Sequence, residues 1–422
     1  MTKPKNNLII CFFLLTLLSI IPAQGYSSDP IPDASPIWSD KLGHFNVLVA
    51  GSDDGRTIVA GSDLGIIRLY DQTGKTLWTY NVTGKAMNTV AISGNGENVV
   101  AGFMDPYQPN GLGWGEIIYF NRSGSILWRY STNASVQRVA ISDNGNLVFA
   151  SGDSKLYFFD RNGTRTGTFD TLAAVWSAAI DSDGTRGVAG GAYPGNAIYL
   201  MAPDGTLVLN YTIGSDSRGI HDVDISRTGN FIAGVDDNHV ILLDHEGNLL
   251  WDYNRSTSYA RVALSSDGEY TAATSQYYIR YFNRTGSLLW EYYVPAYVND
   301  IAVSGSGDRV FAGTSTGLYL FNRSGHPVWK NNLTASSLSV AKDGGYYIAG
   351  DATTVYYFNR EGASASPVPA AIPASIANPH ENTHMQGKPL TDTTPSLTLS
   401  AAIPLIALVL VGIVAFRWKK QR

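Results

Sequence analysis

The sequence predicts an all-β protein: an eight-bladed β-propeller closed by an N-terminal outer strand and followed by a C-terminal transmembrane helix. Three observations predict it. A unit of about 40 residues recurs eight times along the chain. Each unit holds short apolar runs separated by turn sequences. The fourth run, missing from the last unit, stands instead ahead of the first.

The recurrence is anchored on a turn glycine, at Gly55, Gly96, Gly145, Gly184, Gly229, Gly268, Gly307 and Gly344, spaced 37 to 49 residues apart. Before it stands an alternating run such as Val90-Ala91-Ile92-Ser93, and after it a second such as Asn98-Val99-Val100-Ala101-Gly102. A third run is aromatic, as in Leu156-Tyr157-Phe158-Phe159, and a fourth ends in Leu-Trp or Val-Trp, as at Trp78, Trp128, Trp251, Trp290 and Trp329. Four strands per unit at this spacing mark a propeller blade. Between the third and fourth runs lie turns such as Asp71-Gln-Thr-Gly74 and Asn121-Arg-Ser-Gly124. Their Asp or Asn can accept a backbone N–H, and their Gly supplies the positive φ of a bulged hairpin. Alanines on the first run (Ala91, Ala140, Ala179, Ala263, Ala302) let neighbouring blades approach near the axis. The tryptophans fall on the outermost strand, where their area covers the joint with the next blade.

Seven units are complete and the eighth has three strands: Ser337 to Val340, Tyr346 to Ala349 and Val355 to Phe358. Pro36-Ile37-Trp38-Ser39-Asp40 carries the outer-strand pattern, so residues 36–41 are expected to close the ring against the strand near Val355 to Phe358. Closure removes the two edges an open array would expose.

Both ends are apolar. Residues 1–25 read as a secretory signal peptide, with Lys3 and Lys5 ahead of a short apolar run and Ala23-Gln24-Gly25 as the cleavage site. Cys11, the one cysteine, lies inside it, so thiol and disulfide chemistry are not expected of the mature chain. Residues 26–362 make up the propeller and 363–396 a linker rich in Pro, Ser, Thr and Ala. Residues 397–416 carry no charge and are long enough to span a bilayer, and 417–422 form a basic tail. That order predicts a single-pass type I plasma-membrane protein with its propeller outside the cell. The net charge of −5 gives no footprint for nucleic acid.

The pattern Asp/Asn-x-x-Gly-x-Leu-Leu-Trp, with Val-Ala-Ile-Ser-x-x-Gly earlier in each unit, resembles PQQ-like and WD40-like propeller repeats over residues 36–362. With its linker and anchor, the chain looks most like membrane-anchored cell-surface propellers of methanogenic archaea. In quinoprotein dehydrogenases the cofactor lies on the axis beneath paired cysteines, with a calcium ion held by Glu, Asn and Asp. This chain has no matching set, so no cofactor and no catalytic residues are expected. It also departs from WD40 repeats: Trp251-Asp252 is the only Trp-Asp pair.

Candidate binding residues come from two places. The longest insertion, Met104 to Gly115, offers Tyr107 and Trp114, and a shorter one offers Tyr193. Seven residues before the turn glycine stand Leu48, Thr89, Arg138, Ser177, Asp222, Arg261, Asp300 and Ser337. Asp222, Arg261 and Asp300 lie in consecutive blades, beside His221 and near Trp176. They read either as a polar ligand cup or as an inter-blade ladder of ion pairs. Asn81, Asn121, Asn133, Asn162, Asn210, Asn254, Asn283, Asn322 and Asn332 head glycosylation sequons. The function expected is a non-enzymatic binding or scaffold module for an extracellular protein or glycan. The alternatives are a quinoprotein-like or carbohydrate-active enzyme using the axial site, and an envelope protein-assembly factor.

Overall fold

The computed structural model describes residues 30–360 except 44, 106–112, 153, 172, 214–217 and 256–257. The chain separates into Met1–Pro369, which holds the propeller, and Ala370–Arg422, which lies outside the described residues. The segments expected to form a signal peptide, a linker, a membrane helix and a basic tail also lie outside them. Among the described residues no helix is long and apolar enough to cross a membrane.

Among the described residues thirty-two strands form eight antiparallel four-stranded sheets. Blades one to seven each take four consecutive strands, starting at Val47, Ala86, Val136, Val175, Asp222, Tyr259 and Val298. Blade eight takes three strands from 337–359, and its outer strand is Trp38–Lys41. The register runs from Trp38 opposite Tyr357 to Lys41 opposite Thr354, so the closure read from the Trp38 pattern is borne out. A second attachment was not legible in the sequence. Asp33 bridges Lys330 in parallel, Ala34 N–H donates to the Lys330 carbonyl at 2.7 Å and Lys330 N–H to that of Pro32 at 2.9 Å. The N-terminal segment thus straps blade seven before it completes blade eight.

Each turn does the work its residues predict. Asn121 Oδ1 accepts Ser123 N–H at 3.0 Å and Ser125 N–H at 2.9 Å, and Gly124 takes φ 83°. Between the first and second strands the buried Ser52, Ser93, Ser142, Ser226, Ser265 and Ser304 each accept the N–H five residues on, at 3.0 to 3.1 Å. The core lies between blades, where second and third strands are buried on both faces. The outer tryptophans seal these joints. A Cβ on Gly124 would lie 2.7 Å from Trp78 Cγ of the preceding blade, and Trp78 Nε1 donates to the Arg122 carbonyl at 3.0 Å. Trp38 does the same to Gln72 at 3.1 Å and Trp290 to Arg323 at 3.0 Å.

Candidate functional site

The innermost strands surround the axis, and their free edges carry N–H and C=O groups that no fifth strand satisfies. Side chains of the preceding blade satisfy many of them. At the position seven before the turn glycine, Thr89 Oγ1 accepts Val139 N–H at 3.1 Å and Ser177 Oγ accepts Val223 N–H at 3.2 Å. Asp222 Oδ2 accepts Val262 N–H at 3.0 Å, Asp300 Oδ2 accepts Leu338 N–H at 2.8 Å and Ser337 Oγ accepts Val49 N–H at 3.0 Å. Two residues further on, Asp224 takes Leu264 N–H at 2.7 Å and Ser339 takes Gly51 N–H at 3.1 Å. One residue earlier the pattern turns to carbonyls. Asn88 Nδ2 donates to Val136 O and Asn299 Nδ2 to Ala335 O, both at 2.9 Å, and His221 Nδ1 lies 2.7 Å from Tyr259 O.

The far end of the channel carries a second ring of contacts, which sequence reasoning missed. The residues two before each turn glycine are Asp53, Gly94, Asp143, Ser182, Arg227, Ser266, Gly305 and Lys342. Their backbones form a ring: seven links join one of these N–H groups to the next carbonyl at 2.8 to 3.0 Å, and Asn95 N–H supplies the eighth. Arg227 reaches across from blade five to pair with both Asp53 and Asp143. The signal was available, since this column mixes Asp, Arg and Lys at one fixed distance from the glycine. Above it a cavity of about 220 Å³ is lined by Asp53, Asp224, Arg227 and Lys342 among others.

Burial raises three of these carboxyls. Asp224 is pushed up to about 7, against the N–H of Leu264 that favours its charge, and Asp300 to about 6, against Arg261. Asp143 also rises to about 6, with Arg227 opposing. The native state therefore holds protons that the unfolded chain gives up near pH 4. Their stabilising contribution is complete below about pH 4 and is lost as pH rises through 6 to 7. The half-buried turn residues Asp71 and Asp244 instead have carboxyls held down by side-chain and backbone hydrogen bonds, so they act below this window. The thermal midpoint is expected to fall between pH 5 and 8, and Asp224→Asn, which keeps an acceptor for Leu264, is expected to flatten that fall. A melting series with the same slope in both proteins would contradict this.

At the open end, three innermost-strand residues of the seven-back tier do not stitch: Leu48, Arg138 and Arg261. Arg138 Nη1 donates to Gln137 O at 3.0 Å and Arg261 Nη1 to Ala260 O at 2.9 Å, so both guanidiniums turn up toward the mouth. They line a cavity of about 340 Å³ with Gln137, Trp176, His221 and Ala260. The two readings left by the sequence resolve into separate roles. Asp222 and Asp300 are spent on the next blade's N–H groups, and the one ion pair among the three is Arg261 Nε to Asp300 Oδ1 at 3.9 Å. Arg261 faces the cup, joined there by Arg138, which the sequence reading did not single out.

Trp176 and His221 meet with ring centroids 5.8 Å apart, and His221 Nε2 is 3.6 Å from Asp237. Tyr193 is 69% exposed. Trp114 stands apart, with Lys85 Nζ 4.4 Å over its ring and Lys85 also paired with Glu116. Tyr107 lies outside the described residues. Of the sequon asparagines, Asn81, Asn133, Asn162, Asn210, Asn254 and Asn332 are exposed, while Asn121, Asn283 and Asn322 are half-buried turn residues. Among the described residues no three His, Cys, Asp or Glu side chains gather to hold a metal.

The family model described as "Outer membrane protein assembly factor BamB", of PQQ-like repeats, matches residues 32–192 and 152–365. No curated protein matches the chain. Among solved structures, the C-terminal WD40 domain of Sif2 superposes with a TM-score of 0.64 at 14% identity, over 78% of this chain and 99% of that one. BamB from Moraxella catarrhalis superposes with a TM-score of 0.59 at 17% identity, over 77% of this chain and all (100%) of that one. At such identities the likeness is one of fold. It bears out the resemblance to PQQ-like and WD40-like propellers.

Proposed function

We propose that this protein, which belongs to the PQQ-like propeller family described as outer membrane protein assembly factor BamB, is a non-catalytic binding module. It is displayed outside the cell, held by its C-terminal helix, and docks its partner through the face that carries the blade-to-blade loops. One observation carries the reading. Exposed large apolar side chains fall into two sets among the described residues. One set lies on the outer strands, as at Leu77, Leu127, Leu250 and Leu289, spread around the rim. The other is Phe45, Leu64, Trp114, Trp176, Tyr193 and Tyr297, all at the end of the axis where the second strand turns into the third and one blade passes to the next. The opposite end presents Asp, Asn, Ser and Gly turns and none of these side chains. Apolar and aromatic groups gathered on one face favour a protein interface, and loops on a rigid scaffold are where recognition is built.

The family match favours a second, narrower version, in which the partner is an envelope protein undergoing assembly. Fold membership alone does not choose between the two. Because Cys11 is the only cysteine, single cysteines can be placed at will. Full-length chain carrying Tyr193→Cys or Tyr297→Cys is expected to cross-link to a partner in intact membranes, whereas Leu127→Cys on the rim is not. Cross-links from the rim alone would sink the reading. Identification of the adduct separates assembly substrates from other ligands, and saturable uptake of PQQ with calcium would instead support the enzyme alternative.

A further inference from the structure

We propose that the mouth of the channel binds an acidic sugar, with its carboxylate between Arg138 and Arg261 and its ring against Trp176. This site shares Trp176 with the loop-face docking reading but does not rest on it, because its carboxylate contact is made by Arg138 and Arg261, which that reading does not use.

The argument begins with which side chains are spent. Around the axis, the seven-back and eight-back tiers are used to bind the next blade's innermost strand, through Thr89, Ser177, Asp222, Asp300 and Ser337 in one and Asn88, His221 and Asn299 in the other. Blade one breaks this use with the uncharged Leu48, and blades three and six break it with arginines. Gln137, Arg138, Trp176, Ala260 and Arg261 make no such bond forward, and these five with His221 line the 340 Å³ cavity. In blades three, four and six the interruption leaves two cations, an amide and a half-exposed indole facing one space. Its volume is within the range of small-ligand sites, about 300–1,000 Å³. Further along the axis Arg227 reaches across the channel to Asp53 and Asp143.

Charge then selects the ligand. Arg138 and Arg261 sit near enough to repel, and burial followed by Arg261 holds Arg138 below the usual arginine range. The carboxylates at this level are largely engaged by the backbone: Asp222 accepts Ser177 O–H at 2.6 Å and Val262 N–H, and Asp300 accepts the N–H groups of Ile301 and Leu338 while keeping a 3.9 Å pair with Arg261 Nε, which leaves the Nη groups of Arg261 for a ligand. Each guanidinium keeps planar N–H pairs beyond the one given to a backbone carbonyl, which suits the two oxygens of a carboxylate. Trp176, 41% exposed, offers a flat face to the C–H groups of a pyranose ring. Gln137 supplies an amide beside it for a hydroxyl.

The test uses full-length protein in detergent, titrated calorimetrically with trigalacturonate, its methyl ester and a short peptide bearing a free C-terminal carboxylate. Saturable binding of trigalacturonate is expected, weakened about tenfold or more in the neutral ester and in Arg138→Gln or Arg261→Gln. Trp176→Ala should weaken it too, while Arg122→Gln, on a distant turn, should leave it unchanged. Arg138→Lys keeps the charge without the planar fork and should recover only part of the loss, provided each variant retains the parent melting curve. Equal affinity for acid and ester, or indifference to both arginine changes in folded protein, would overturn the proposal. So would stronger binding of the peptide than of the sugar.

Discussion

Deleting residues 30–42 is expected to abolish the single cooperative unfolding transition of the propeller. The segment does three jobs at once. Residues 32–34 lie along the outer strand of blade seven, and Ala34 is buried there with Phe311 and Trp329. Trp38–Lys41 supplies the outer strand of blade eight. Trp38 then stacks on Tyr357 at 5.2 Å and leans on Tyr70 of blade one at 5.3 Å, sealing the joint where the ring closes. Without the segment, blade eight loses its outer strand, and the 354–359 strand becomes an unpaired edge beside exposed aromatics, a template for aggregation. Circular dichroism melts of the parent and the truncated chain decide the matter. A truncated protein that melts in one sharp step at the parent temperature would show that the ring does not need this closure.

Architecture was legible because a propeller writes the same physical problem eight times. The hairpin needing a positive φ asks for glycine, so Gly74, Gly124, Gly163, Gly247, Gly286 and Gly325 recur. The joint needing a wide apolar cover asks for tryptophan. That residue is missing twice: blade three has Gly167 in its outer strand, where the next blade's turn backbone at Asp204 and Gly205 packs directly on it, and blade four has Leu209, which sits under Gly247 of the next turn. The closure was legible for the same reason, since a strand absent at one end and present at the other has one place to go. The strap at 32–34 was not, because a parallel pairing by three residues of irregular backbone leaves no period. The axis was half legible. The seven-back column was read as either charges or a cup, although Ser177, Thr89 and Ser337 in it already pointed to hydrogen bonding of blade edges. Arg138 was passed over because its neighbours in sequence are not its neighbours around the ring. The floor needed a second column, two before the glycine, whose Arg227 meets Asp53 across 174 positions of chain.

Trp290→Ala is expected to cost about 3–5 kcal/mol, the range for emptying a buried aromatic site, whereas Leu289→Ala beside it should change stability by about 0.5 kcal/mol or less. The contrast follows from the pleat. Leu289 points outward and is 41% exposed, while Trp290 lies between Tyr281 at 5.2 Å and Phe321 at 5.5 Å. Its Nε1 holds the Arg323 carbonyl of the next blade. Denaturant melts of the two variants test the packing role directly, since an indole that only presented its face to solvent would be lost cheaply. The joint also predicts a coupling. Gly325 has φ 83°, and a Cβ there would stand 2.6 Å from Trp290 Cγ. Gly325→Ala therefore meets two penalties, backbone strain of about 1 kcal/mol and collision with the indole. Only the first survives once the indole is gone. In a double-mutant cycle the pair should cost less than the sum of the single changes by about 1 kcal/mol or more. Strict additivity would mean that glycine is required at the turn for its backbone alone, and that the indole has room to move aside.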